Sequence, residues 1–189
     1  MSHQPVDPFA APQSQIDYFR GLAEASELPL VAYVRADGFS VDDMTRLAAH
    51  PNIAGIKFAT SDVMLLSRAI AASDPTGALY VCGLAESWAP AFAAVGARGF
   101  TSGLVNVAPE FSLQVHAALA AGDFAAARSV VERIEFFERL RTKYRNGANV
   151  TVVKEAVAMQ GFHVGPVRAP GLPVLDEVDK SALRALMAS

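Results

Sequence analysis

Four short strand-like runs, the first three mainly apolar and each followed by a stretch of helical spacing, constrain this chain more than any other feature. The runs are Pro29 to Val34, Ile53 to Phe58, Ala78 to Cys82 and Arg98 to Ser102. They are too short for buried helices and are bounded by turn residues, so they read as strands. Between and after them lie Val41 to His50, Asp62 to Ser73, Glu86 to Val95 and Pro109 to Ala121, with apolar residues at three- and four-residue spacing. Continuous apolar strands alternating with helices predict a parallel sheet covered on both faces. Right-handed crossovers then bring every strand's C-terminal end to one rim, where α/β proteins bind ligands.

The flanks read differently. Residues 1–12 hold three prolines without periodicity and are expected to form a loop. Gln13 to Ser26 repeats apolar residues at helical spacing. Ser40 and the pair Ser61-Asp62 stand where N-caps belong. A long amphipathic helix is expected from Asp123 to about Tyr144, another from Val150 to Gln160, an extended linker from Gly165 to Pro173, and a last helix from Asp176 to Met187. The expected organisation is an N-terminal loop (1–12), four β/α units (13–122) and a C-terminal helical extension (123–189).

A chain of 189 residues can bury one sizeable core, and its 52% apolar and 19% charged residues are those of a globular protein. The net charge of −3 and the lack of a basic run argue against nucleic acid or an anionic membrane as partner. No apolar run reaches spanning length, and Met1 to Pro5 lacks a signal-peptide pattern, so a cytoplasmic location is expected. The single cysteine, Cys82, sits inside an apolar run and is expected to be a buried, inert thiol. His3, His50, His116 and His163 show no metal-ligand spacing.

Polar residues at the expected rim are the candidates for chemistry. Lys57 interrupts the run Ile53 to Phe58 near its end. A lysine there can snorkel to water or pair with an acid. It can also lose its proton in apolar surroundings and act as an amine nucleophile, forming a Schiff base with a ketone or aldehyde. Tyr33 ends the first run, and Thr101-Ser102-Gly103 ends the fourth. Arg35, Asp37 and Glu86 are expected on exit loops, where charges are usually solvated.

The order Tyr33, Lys57 in GIKFATSD, Gly83, then GFTSGLVNVAPE from Gly99 to Glu110 resembles the dihydrodipicolinate synthase/N-acetylneuraminate lyase family. Asn149 to Lys154 and Gly165 to Pro170 are similar to that family's C-terminal helices and linker, so the likeness runs from about Val6 onward. The resemblance implies a (β/α)8 barrel and class I aldolase chemistry. Lys57 would form the imine with pyruvate or another 2-oxo acid, and Tyr33 would relay protons. Thr101 would line the carboxylate site together with Ser102, and Gly83 would leave room at the rim. No metal or organic cofactor is implied.

A full barrel of this kind takes roughly 250 residues. The four strands here match the family's last four, and Met1 falls where the fourth strand should be ending. The expected fold is therefore a partial (β/α)8 TIM barrel: the last four β/α units plus C-terminal helices. The family's Thr-Thr-Gly-Glu segment is absent. The exit loop YVRADGFS also lacks the family's Arg-Thr-Gly pattern. Arg35 then either replaces that arginine in binding substrate or marks a sugar-acid dehydratase or aldolase. Three readings stay open: part of a complete enzyme, a half-barrel completed by homo-oligomerisation or by a complementary half, and a non-catalytic ligand-binding or oligomerisation module.

Overall fold

The computed structural model describes residues 1–5, 9–35 and 37–187. Val6 to Pro8 of the expected N-terminal loop and Ala36 of the first exit loop lie outside the described residues. The chain forms two compact units, Met1–Thr101 and Ser102–Ser189.

In the first unit the elements run β1 (Ser2–His3), α1 (Pro12–Glu24), β2 (Leu30–Val34), α2 (Val41–Ala48), β3 (Ile53–Phe58), α3 (Val63–Ala72), β4 (Leu79–Cys82) and α4 (Ala89–Ala94). The four strands form one parallel sheet in the order β1-β2-β3-β4. Local chemistry starts α2 and α3 where expected, whereas α4, expected from Glu86, begins at Ala89. Ser40 accepts from the Asp43 amide while the Asp43 carboxylate accepts from the Ser40 amide, a reciprocal cap on α2. Asp62 accepts from the Leu65 amide at 2.8 Å and caps α3.

Two expectations are corrected. Residues 1–12 were expected to be loop, yet Ser2–His3 pairs in parallel with Ala32–Tyr33. A strand of two residues is too short to show periodicity. The fourth expected strand, Arg98 to Ser102, is not a regular element. It lies along β4 through a single parallel bridge, Cys82 to Phe100. Three backbone bonds hold it there: Arg98 N to Tyr80 O, Cys82 N to Gly99 O and Thr101 N to Cys82 O, each 2.8–2.9 Å.

The helices pack on one face of the sheet. Ala32, Val34, Ile56, Phe58, Tyr80 and Cys82 are buried there with Ile16, Phe19, Met44, Leu47, Leu66, Ala69 and Phe92. Alternate residues point the other way. Val31, Tyr33, Lys57 and Val81 are half-buried, and Leu79 is 52% exposed. Coverage of both faces was expected because the runs are apolar throughout. Among the described residues, Ala32, Val34, Ile56, Phe58, Tyr80 and Cys82 of the helix-bearing face are buried, whereas Val31, Tyr33, Lys57, Leu79 and Val81 of the other face are not.

The second unit contains a short 3-10 turn (Leu104–Asn106) and helices α5 (Pro109–Ala120), α6 (Phe124–Thr142), α7 (Asn149–Met159) and α8 (Glu177–Met187). Leu104, Ile134, Phe137, Leu140, Ala148, Val152, Ala156, Leu175 and Leu183 form its core. Arg141 reaches Glu138 at 2.5 Å and Asn149 at 2.9 Å. Its guanidinium fills the place a Cβ on Gly103 would occupy, 2.6 Å away. The expected linker is tied down where Lys154 donates to the carbonyls of Val164 and Pro166, both at 3.0 Å. No helix among the described residues is long and apolar enough to cross a membrane.

Candidate active site

Parallel register assembles the site. His3, Tyr33, Lys57 and Val81 are direct neighbours across β1, β2, β3 and β4. In-register residues share a face, so all four project from the side opposite the helix layer. Lys57 is the next-to-last residue of β3, one of the two inner strands.

The Lys57 ammonium lies 3.9 Å from the centre of the Tyr33 ring. The Arg35 guanidinium lies 5.5 Å from the same centre. Desolvation, then the nearby positive charge of Arg35, lowers the Lys57 pKa below its ordinary value of 10.5. Both effects increase the share of neutral amine at a given pH.

Behind the lysine, on the helix-bearing face, lies the fully buried Cys82. Burial pushes its thiol up to about 12, with a smaller contribution from the Glu86 carboxylate. The expectation of an inert thiol agrees with this burial. Glu86 corrects the expectation of a solvated loop charge, since it is 0% exposed. The turn from Cys82 to Ala85 folds it inward: the Leu84 amide donates to Cys82 Sγ at 3.4 Å, and Ala85 adopts a positive φ of 64°.

The remaining sequence candidates are placed less uniformly. Gly83 lies where the exits of β3 and β4 touch, and its amide donates to the Phe58 carbonyl at 2.7 Å. A Cβ there would stand 2.6 Å from that of Ala59, so close backbone approach requires glycine. Thr101 is exposed, but its amide is already donated to the Cys82 carbonyl at 2.9 Å. Ser102 opens the second unit, and its hydroxyl accepts from the Val105 amide at 3.1 Å.

Two residues of the rim carry no signal in the sequence. The His3 ring stands 4.6 Å from the Tyr33 ring, inclined at 55°. Gln4 is 4% exposed; its amide donates to the Tyr33 carbonyl at 2.9 Å and its side-chain oxygen accepts from the Arg35 amide at 2.9 Å. Its side-chain nitrogen donates to Gln15. Gln4 thereby joins β1, α1 and the loop that carries Arg35. Among the described residues, no group of three His, Cys, Asp or Glu side chains is placed to hold a metal ion.

The chain has counterparts among known proteins. A model of the dihydrodipicolinate synthetase family matches residues 5–189. A probable 5-dehydro-4-deoxyglucarate dehydratase 2 from Streptomyces avermitilis is 38% identical over 166 residues, covering 85% of this chain and 50% of its own length. The 4-hydroxy-tetrahydrodipicolinate synthase of Azoarcus sp. is 33% identical, over 98% of this chain and 64% of its own. The crystal structure of dihydrodipicolinate synthase from Oceanobacillus iheyensis superposes with a TM-score of 0.91 at 36% identity, over 98% of this chain and 62% of that one. The chain spans between 50% and 64% of the length of these three proteins. On the match of the family model from residue 5 to residue 189, the chain belongs to the dihydrodipicolinate synthetase family.

Proposed function

We propose that this chain carries part of a (β/α)8 barrel, the last four β/α units with their C-terminal helices, of a lysine-dependent lyase acting on pyruvate or another 2-oxo acid. In this reading the neutral Lys57 amine attacks the keto carbon, water leaves, and an imine remains. Loss of a proton from the adjacent carbon gives an enamine. The enamine adds to an aldehyde in an aldolase, or expels a β-hydroxyl in a dehydratase. Tyr33 serves as the neighbouring proton donor and acceptor.

The observation that carries this reading is Lys57 itself: half-buried, with a lowered pKa, and in register with Tyr33 at the end of an inner strand. Support for the partial barrel comes from the parallel sheet with one helix-bearing face and from the share of each relative that the chain spans. In this reading the apolar side chains of the other face, Val31, Leu79 and Val81, are covered by further strands of the same barrel, by a complementary half or by a second copy.

Arg35 supports a second reading within the same chemistry. Its guanidinium stands on the exit loop beside Tyr33, where it can receive the distal carboxylate of a sugar acid. The names of several relatives, including the Streptomyces avermitilis protein, are those of a sugar-acid dehydratase.

Incubation with pyruvate, reduction with borohydride and peptide mass analysis test the proposal. A reduced pyruvate adduct on Lys57, lost in Lys57→Ala, is the expected result. A folded chain that yields no adduct at Lys57 would exclude the proposed activity for this polypeptide and leave a non-catalytic binding or oligomerisation module.

A further inference from the structure

Tyr33 stands in the sheet between two unlike neighbours. β1 lies on one side of β2 and β3 on the other. From β1 the His3 ring approaches to 4.6 Å, and from β3 the Lys57 ammonium approaches to 3.9 Å. Among the described residues, no hydrogen bond holds the Tyr33 hydroxyl, so ring contacts orient the phenol. A tyrosine on a strand has two soft side-chain torsions, and its cross-strand neighbours decide which rotamer is kept.

β1 has only two residues and needs anchorage beyond its own ladder. Gln4 provides it. The buried side chain takes the Arg35 amide and reaches Gln15, while its backbone holds the Tyr33 carbonyl. A nearly buried glutamine with its polar groups engaged fixes the residue before it. That residue is His3, which is itself exposed and lies against Tyr33.

We propose that His3 is a positioning residue: its imidazole ring packs on the Tyr33 phenol and holds that ring, and with it the hydroxyl, in the one rotamer that faces Lys57. The role rests on the imine chemistry proposed above. His3 acts through Tyr33 and touches no reacting atom.

The test has two readouts on the full chain. The first is the rate of borohydride-trapped pyruvate adduct at saturating pyruvate. An aromatic contact of this kind corresponds to about two- to tenfold in rotamer population. His3→Ala should lower the maximal rate by about that factor, with little change in half-saturating pyruvate. His3→Phe, which keeps a ring on Tyr33, should restore it. In a Tyr33→Phe background, His3→Ala should cost nothing more, because the hydroxyl it positions is gone. The proposal is overturned by an unchanged rate in His3→Ala, by an equal loss in His3→Phe, or by an equal loss in the Tyr33→Phe background.

The second readout is independent of activity. The Tyr33 ring should shift the ε-methylene proton resonances of Lys57 upfield. His3→Ala should move them toward the values of an exposed lysine, and His3→Phe should not. A wild-type chain without adduct but with this His3-dependent shift would sink the imine chemistry and keep the packing role. Identical resonances in wild type and His3→Ala would sink the positioning role, whatever the adduct shows.

Discussion

The Lys57 ammonium faces the ring of Tyr33, 3.9 Å from its centre, rather than its hydroxyl. The ring favours the charged form by about 0.5–1 kcal/mol at a partly open site. Desolvation and Arg35 act against it, and the net direction is a lowered pKa. Protonated, the lysine is held by the ring; deprotonated, it loses that attraction and keeps a lone pair for attack.

Adduct formation should therefore rise with pH and level off below 10.5, the ordinary lysine value. Rates of borohydride trapping measured from pH 6 to 11 check this. A midpoint at or above 10.5 would contradict the lowered pKa.

The same shift makes Lys57 a liability for stability. Between its lowered folded value and 10.5 the unfolded chain binds more protons, so stability rises with pH across that window. Below the window both states are protonated and the desolvation cost is fully present. Lys57→Met should abolish the adduct and raise the melting temperature at pH 7. Calorimetry showing an equal or lower melting temperature would count against this.

Cys82 should resist thiol reagents while the chain is folded. It is fully buried, and its thiol is pushed up to about 12. Raised above its ordinary value near 9, it favours the fold below that pH and loses this contribution as pH climbs toward about 12. Labelling at pH 8 with and without denaturant is the measurement. Rapid labelling of the native chain would show that the core around Cys82 opens.

Gly83→Ala should destabilise the first unit by about 1–3 kcal/mol. The new methyl would stand 2.6 Å from the Cβ of Ala59 and 3.0 Å from the Phe58 carbonyl oxygen, so the β3 and β4 exits must separate. Denaturant unfolding gives the stability change, and a change within 0.5 kcal/mol would show that the two exits yield freely.

Asn52 holds the turn between α1 and β2. Its side-chain nitrogen donates to the carbonyls of Ala23 at 2.7 Å and Ser26 at 2.8 Å. Asn52→Ala leaves these half-buried acceptors unmet and should cost about 1–3 kcal/mol. Because that turn leads into β2, the loss should also lower the maximal rate of pyruvate trapping. A variant as stable as wild type would show that water replaces the amide.

The helices and the longer strands of the first unit were legible in the sequence because their signals are local. Ser40 and Asp43 meet within one turn, Asp62 caps the helix that follows it, and Ile53 to Phe58 is a contiguous apolar run. Lys57 could be placed at a strand end for the same reason. What Lys57 touches could not. The contacts of His3 with Tyr33 and of Tyr33 with Lys57 come from parallel register between strands far apart in sequence. The inward fold of Glu86 depends on a turn after β4, and the division of the chain at Thr101 depends on how the helices after it pack among themselves. Periodicity and capping are written in neighbouring residues, and so the sequence alone determined the helices and the three longer strands in their order, but not the two-residue β1 or the lone bridge at Phe100. Register, and with it the environment of the one lysine at the site, is decided by which face the helices bury, a choice that exists only once the sheet has formed.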